Sequence, residues 1–251
     1  MSTVLSTNGL HKSFGSLVVT DEVNLTLPKG ARHALIGPNG AGKTTLINLM
    51  TGALAPDRGN VVLNEHDITA LEPNQRVKRG LVRTFQINTL FPGLTPLEAV
   101  VLAVLERRGA GGHWWAPLAG QTEAVDEAYE LLQTFQIASV CTRTTRDLAY
   151  GEQRLLEIAL ALATRPAVLL LDEPAAGVPK SESAAIFEAI AALPDDISVL
   201  FIEHDMDLVF RFATHILVQV QGRLLVEGTP EEIAKDPTVR EVYLGSAAHH
   251  G

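Results

Sequence analysis

The sequence is poor in cysteine and in basic residues. Cys141 is the single cysteine among 251 residues, so no disulfide can form within the chain, and this composition suits a reducing compartment. The 20 Lys and Arg residues are outnumbered by 29 Asp and Glu, which leaves a formal charge of −9. Because nucleic-acid-binding domains normally present a basic face, this balance argues against a nucleic-acid partner.

Long apolar runs are also missing. A bilayer span needs roughly 18 apolar residues, whereas the longest runs here, at 99–105 and 167–171, have the length of core segments. The first residues, Met1-Ser2-Thr3-Val4, lack the basic and apolar regions of a signal peptide. We therefore expect a cytoplasmic chain that reaches a membrane only through partner subunits. Its length is sufficient for one large α/β domain with a smaller subdomain.

The strongest motif is a glycine-rich segment that fits the P-loop pattern G-x-x-x-x-G-K-[ST]. Its residues are Gly37, Pro38, Asn39, Gly40, Ala41, Gly42, Lys43 and Thr44, and we add Thr45 to the nucleotide-binding candidates. The glycines allow a tight turn whose amide groups surround the phosphates. Lys43 brings a positive charge to the β- and γ-phosphates, and the Thr44 hydroxyl can bind Mg²⁺. The motif therefore predicts binding of a nucleotide such as ATP.

The segments around this motif have the required pattern. Residues 31–36 are predicted to form a short strand, and residues 45–50 have the apolar spacing of a helix. A helix N-terminus that follows a glycine-rich loop favours an anion. The sequence thus predicts the strand, loop and helix of a P-loop NTPase.

A pair of carboxylates follows a second buried strand. Asp172 and Glu173 come directly after the apolar run 167–171. At the carboxyl end of a parallel strand beside a P-loop, one carboxylate can hold Mg²⁺ and its neighbour can deprotonate the attacking water. We assign Asp172 to the metal and Glu173 to the general base.

The remaining pattern predicts an α/β fold with a mostly parallel sheet, an N-terminal antiparallel β subdomain and an inserted helical subdomain. Residues 1–30 are predicted to form antiparallel strands, with Asp21 and Glu22 as a turn. Near-continuous apolar runs at 167–171 and 197–202 are typical of parallel strands covered on both faces. A hairpin is expected at 215–228, turning at Gln221 and Gly222. The predicted domain boundaries are 1–87 and 161–245 for the core, 88–160 for the helical subdomain and 246–251 for a tail.

The order of several motifs resembles the ATPase subunit of an ATP-binding cassette (ABC) transporter. The motifs are the P-loop, Arg83-Thr84-Phe85-Gln86, Leu148-Ala149-Tyr150-Gly151-Glu152, Leu171-Asp172-Glu173-Pro174 and Glu203-His204-Asp205. The resemblance covers nearly the whole chain. It implies that Gln86 reaches Mg²⁺ and the attacking water, that His204 contacts the γ-phosphate, and that Phe14 stacks on adenine. A core position is the alternative for Phe14.

The same resemblance implies that Ala149, Tyr150, Gly151 and Glu152 form the family's signature motif, which binds the γ-phosphate held by a partner subunit's P-loop. Two chains would then enclose two ATP molecules. This chain has Ala149-Tyr150 where the family usually has Ser-Gly, and Glu152 where it usually has Gln. The loop 175–179 lacks the usual Asn or Asp, which puts communication between the two sites in question.

Within the family, the chain is most similar to the ATPase subunits of branched-chain amino-acid importers. This resemblance implies a second ATPase subunit, two transmembrane permeases and, indirectly, a solute-binding protein. A lipopolysaccharide-type exporter ATPase and a regulatory subunit with little hydrolysis are the alternatives. An ABC ATPase of DNA repair or translation is opposed by the acidic charge. Trp114 and Trp115 are predicted either to contact the membrane or permease or to cap the helical subdomain.

Overall fold

The computed structural model describes residues 2–84, 90–110 and 121–241 and has the predicted α/β class. Its strands are β1 (Thr3–Phe14), β2 (Leu17–Pro28), β3 (Arg32–Ile36), β4 (Arg58–Leu63), β5 (His66–Asp67), β6 (Leu81–Arg83), β7 (Val168–Asp172), β8 (Ser198–Ile202), β9 (His215–Val220) and β10 (Arg223–Gly228). Its helices are α1 (Lys43–Thr51), α2 (Pro73–Lys78), α3 (Pro96–Arg107), α4 (Thr122–Thr134), α5 (Tyr150–Ala163), α6 (Lys180–Ala191), α7 (Met206–Phe212) and α8 (Pro230–Lys235).

The chain divides into two compact units. The first comprises Met1–Val82, Ala167–Pro174 and Leu193–Gly251, and the second comprises Arg83–Pro166 and Ala175–Ala192. Each unit therefore contains segments that are distant in sequence. The boundary of the helical subdomain at 88–160 stays a prediction.

The N-terminal sheet of the first unit has the order β2-β1-β4-β5, with antiparallel pairs throughout. The prediction of a turn at Asp21 and Glu22 is wrong, because β2 runs through both residues and the chain reverses at Gly15 and Ser16. Pairing with β1 continues across this point, from Lys12↔Thr20 to Leu10↔Val23, with a shift of register. The local irregularity, marked by a φ of 49° at Glu22, is therefore absorbed inside one strand.

The central sheet has the order β10-β9-β3-β8-β7-β6. β3 is parallel to β8 and β9, β7 is parallel to β8, and the β9–β10 hairpin closes at Gln221 and Gly222 as predicted. All residues of β3 and β8 are buried, as expected for strands covered on both faces. Because the carboxyl ends of parallel strands meet at one edge, the segments that follow β3, β7 and β8 lie together.

Helix α1 is fixed at its C-terminus by a buried arginine. Its residues Leu46, Ile47, Leu49 and Met50 belong to the apolar core of the first unit. The Arg76 side chain, only 1% exposed, donates to the carbonyls of Leu49 and Met50 at 2.9 and 2.7 Å. A cation at this end satisfies orphan carbonyls and complements the helix dipole.

The second unit is built from helices α3, α4, α5 and α6, which pack on one another. Thr95 and Glu98 form a capping box at the start of α3, with Pro96 at its first position. Glu127 of α4 binds Arg107 of α3 through two bonds of 2.7 and 2.8 Å. These contacts lower the pKa of Glu127 to about 2, and Arg107 also donates to the Ala163 carbonyl at the end of α5.

Candidate functional site

The P-loop connects β3 to α1, as its sequence context predicted. Gly37 and Gly42 have φ angles of 154° and 99°, which residues with a Cβ rarely adopt. A Cβ on Gly37 would lie 2.0 Å from the Gln219 carbonyl oxygen, and one on Gly42 would lie 2.3 Å from that of Val19. Both glycines are therefore required by close backbone packing. Asn39, Gly40 and Thr44 are exposed on the loop.

Lys43 is held by the loop itself. Its side chain is largely buried, and Nζ donates to the carbonyl oxygens of Gly37 at 2.7 Å and Pro38 at 3.1 Å. Burial lowers the pKa of Lys43, whereas the charges of Glu173 and Asp172 raise it. The ammonium group is thus placed inside the loop, close to the carboxylates of Asp172 and Glu173 at the end of β7.

Glu173 and His204 are brought into direct contact. They follow the neighbouring strands β7 and β8, and Glu173 Oε1 lies 2.9 Å from His204 Nε2. An ionised carboxylate can only accept a hydrogen bond, so His204 Nε2 is the donor. The two side chains are 35% and 46% exposed, which leaves them open to a ligand.

The backbone at Glu173 is in the left-handed region, with φ of 51°. For a residue with a side chain, this conformation costs about 1–2 kcal/mol. The Glu173 N–H donates to the Ile202 carbonyl at 3.0 Å, which ties the residue to the end of β8. Such strain at a site residue is consistent with a fixed direction of its carboxylate.

Asp172 is the last residue of β7 and pairs in register with Ile202. Its carboxylate and the exposed Thr44 hydroxyl are oxygen donors of the kind Mg²⁺ prefers. Among the described residues, no group of three or more His, Cys, Asp or Glu side chains can hold a metal. These donors fit a Mg²⁺ ion that is bound partly by nucleotide phosphates, as is usual for this metal. The predicted third donor, Gln86, lies outside the described residues.

Phe14 ends β1 and is 54% exposed, so the alternative of a core position is wrong. Lys12 Nζ lies 5.8 Å from the ring centroid and 2.7 Å from the Asp57 carboxylate. Lys12 and Ser13 lower the pKa of Asp57 to about 2. An exposed flat ring can stack on a base.

The predicted signature motif lies at the start of α5, in the second unit. The Ala149 N–H donates to Glu152 Oε2 at 2.7 Å, and Tyr150 is the first helical residue, 39% exposed. Arg154 lies 5.4 Å from the Tyr150 ring and donates to Glu157 at 2.9 Å. A Cβ on Gly177 would lie 2.9 Å from the Tyr150 hydroxyl oxygen, so this tyrosine packs on the loop after Pro174.

Comparison with known proteins identifies the family. The family model described as ABC transporter matches residues 20–176. The chain belongs to the ABC transporter family. A second model, described as branched-chain amino acid ATP-binding cassette transporter, matches residues 223–249 of this ABC cassette. Family membership supports ATP binding and ATP hydrolysis by the chain.

The ABC cassette has full-length relatives. It is 40% identical over 251 residues to the high-affinity branched-chain amino acid transport ATP-binding protein LivG of Salmonella typhimurium, covering 97% of this chain and 98% of LivG. It is 39% identical to BraF of Pseudomonas aeruginosa over the same length, with the same coverage.

A solved structure described as the ADP conformation of MJ1267, an ATP-binding cassette of an ABC transporter, has a TM-score of 0.85 and 33% identity. That match covers 98% of this chain and 100% of the other. The P-loop NTPase fold is thereby confirmed. Among the described residues of this ABC cassette, none of the helices has the length and apolar character of a membrane span.

Two residues beside the P-loop were not predicted to belong to the site. Gln219 and Gly222, at the end of β9 and in the following turn, contact the loop from the side of the hairpin. The one available signal was a glutamine inside the otherwise apolar run of β9. Trp114 and Trp115 lie outside the described residues, so both of their predicted roles stay predictions.

Proposed function

We propose that this ABC cassette binds and hydrolyses ATP to energise a membrane importer of branched-chain amino acids or related small solutes. The observation that carries the ATPase assignment is the 2.9 Å contact between Glu173 and His204, beside the lysine of the P-loop. The transport assignment is supported by the names of the full-length relatives LivG and BraF.

Each site residue has a separate role in hydrolysis. Lys43 leaves the carbonyls of Gly37 and Pro38 and neutralises charge on the β- and γ-phosphates. Thr44, Asp172 and Gln86 would hold Mg²⁺, which would supply charge stabilisation for the phosphoryl group. Glu173 accepts the proton of the attacking water, and His204 donates a hydrogen bond to the γ-phosphate.

A complete site needs a second cassette. The amide groups at the start of α5, around residues Ala149 to Glu152, would bind the γ-phosphate of ATP held by a partner's P-loop. The partner is either another copy or a related ABC subunit, and two permeases place the pair on the inner face of the membrane. A solute-binding protein acts upstream of the permeases.

The experiment is ATP hydrolysis by the purified chain, alone and with candidate partner cassettes and permeases, beside the variant Glu173→Gln. We expect turnover that rises in the complex and falls at least about 100-fold in the variant, because the base is lost while its shape is kept. The variant should also remain dimeric with ATP in light scattering. Exposed Glu188→Gln of α6 is the control and should hydrolyse ATP normally.

Other outcomes separate the alternatives. Tight ATP binding without turnover in every mixture would favour a regulatory subunit, the alternative that rests on the lack of Asn and Asp in the loop 175–179. Leucine uptake by reconstituted vesicles that depends on Glu173 would support the importer, whereas ATP-dependent extraction of lipopolysaccharide would support the exporter.

A further inference from the structure

The P-loop rests against a wall of the first unit that is made by β2 and by the β9–β10 hairpin. We define the P-loop wall as Val19, Thr20, Gln219 and Gly222. The Gly222 N–H donates to the Ala41 carbonyl of the loop at 2.9 Å, and the Gly222 carbonyl accepts from the Asp21 N–H at 2.8 Å. One turn of the hairpin therefore connects the loop to β2.

The Gln219 side chain adjoins the loop. A Cβ built on Gly42 would lie 3.1 Å from Gln219 Nε2, and one on Gly37 would lie 2.0 Å from the Gln219 carbonyl oxygen. No other residue of the P-loop wall presents a side-chain nitrogen or oxygen among the atoms nearest to these two glycines. The Gln219 amide nitrogen thus lies against the phosphate-binding loop at Gly42.

Gln219 is fully buried, with an exposed fraction of 0%. Neither Nε2 nor Oε1 has a hydrogen-bond partner among the described residues. A buried amide without partners destabilises the fold, and its neighbours in β9, from Ile216 to Val218, are apolar and fully buried. An apolar side chain at 219 would suit this arrangement of the loop better than the amide does.

A change of partners at the loop would satisfy this amide. In this structure, Lys43 Nζ donates to the carbonyls of Gly37 and Pro38. When phosphates draw the ammonium group away, both carbonyls lose this donor. Gln219 Nε2 is a neutral donor that already adjoins this turn, and a carboxamide can replace such a bond without adding charge.

We propose that Gln219 is a positioning residue for the nucleotide-bound P-loop, in which its Nε2 donates to a loop carbonyl released by Lys43. Gln219 contacts the loop and not the nucleoside triphosphate. The proposal rests on the proposed function of the P-loop. The amide then destabilises the free protein and stabilises the nucleotide complex. Its removal should therefore raise the stability of the free protein and lower its affinity for nucleotide.

The test is the variant Gln219→Met, which keeps the length of the side chain and removes both polar atoms. We expect the dissociation constant of a fluorescent ATP analogue with Mg²⁺ to rise about ten-fold, the ratio that corresponds to about 1.4 kcal/mol. The melting temperature of the nucleotide-free protein should stay the same or rise. In steady state with partners, KM for ATP should increase while kcat changes little.

Thr20→Val is the matched control. Thr20 is also fully buried, and its hydroxyl also lacks a partner among the described residues, but its side-chain atoms are not those nearest to Gly37 or Gly42. This variant should be at least as stable as the wild type and bind the analogue equally well. A parallel loss of affinity in both variants would mean that general repacking of the wall, and not the amide, sets the affinity.

Unchanged affinity in Gln219→Met would overturn the proposal, as would an equal fall in melting temperature with and without nucleotide. Failure of the wild type to bind the analogue would instead refute the proposed function. If Gln219→Met does not fold, the side-chain amide signals of ¹⁵N-glutamine-labelled wild type decide. Nucleotide should slow proton exchange of one buried amide, and no such change would refute the role of Gln219.

Discussion

At the scale of single residues, the positions that have the chemistry of the site also have unusual backbone conformations. Glu173 combines a left-handed backbone with a carboxylate that accepts from His204. Gly42 combines a φ of 99° with a neighbouring carbonyl that leaves no space for a Cβ. The side chains could be nominated from sequence because their types and spacing are specific, whereas the strained conformations follow from contacts with other segments.

Gly42→Ala is expected to disable the P-loop. The new methyl group would lie 2.3 Å from the Val19 carbonyl oxygen, in a backbone conformation that alanine avoids. We expect ATP affinity to fall at least about 100-fold, equivalent to about 3 kcal/mol, in a titration with a fluorescent analogue.

Gly40→Ala is the control for this variant. Gly40 also has a positive φ, of 79°, but a Cβ there would meet nothing within 4 Å. The loss of ATP-binding free energy in Gly40→Ala should be limited to the backbone strain of about 1–2 kcal/mol. Equal affinities of the two variants would show that contact with Val19 does not shape the loop.

At the scale of elements, α1 is fixed from both ends. Its start is set by the P-loop, and its end by Arg76, which also donates to the carbonyls of Leu71 and Thr69 at 2.9 and 2.7 Å. Residues 71–80, which include Arg76, have the composition of a short polar helix, and helix α2 is observed there. The burial of Arg76 was not predictable from the sequence, because the carbonyls to which it donates belong to segments brought together by the fold.

Arg76→Met should destabilise the protein by about 3 kcal/mol or more, because several buried carbonyls lose their donor together. Chemical denaturation followed by circular dichroism gives the free energy of unfolding. Lys78→Met, at an exposed position of the same helix, should change it by less than about 0.5 kcal/mol. If both variants have the same free energy of unfolding, the hydrogen bonds of Arg76 do not stabilise α1.

At the scale of the whole molecule, stability depends on groups that titrate differently in the folded and unfolded chain. His33 of β3 is 8% exposed and lies beside His215 of β9, with ring centroids 4.8 Å apart. Burial, followed by the neighbouring His215, lowers the pKa of His33 to about 4. The unfolded chain therefore binds this proton more readily than the folded protein does.

Stability should consequently fall as the pH is lowered from about 6.5 to about 4, since protonation of His33 favours the unfolded chain. The difference in pKa corresponds to about 3 kcal/mol at the acid end of this range. Denaturation at a series of pH values should show a flatter profile for His33→Gln. His66→Gln, at an exposed position of β5, should retain the wild-type profile, and an unchanged profile in His33→Gln would contradict the assignment.

The amino-acid sequence alone determined the α/β class, the P-loop between β3 and α1, and the family, because these depend on local pattern and on motif order. It also predicted the strand that Asp172 ends and the strand that His204 follows. The prediction of a turn at Asp21 and Glu22 was wrong, because pairing with β1 outweighed the local preference for a turn.

Only the tertiary structure decided the contact of Glu173 with His204, the burial of Arg76 and the position of Gln219 behind the P-loop. Each of these depends on which segments meet across the sheet. Lys43 and Gln219, for example, are far apart along the chain, and only the pairing of β3 with β9 brings the hairpin to the P-loop. Local sequence does not encode such distances, because they result from packing of the complete chain.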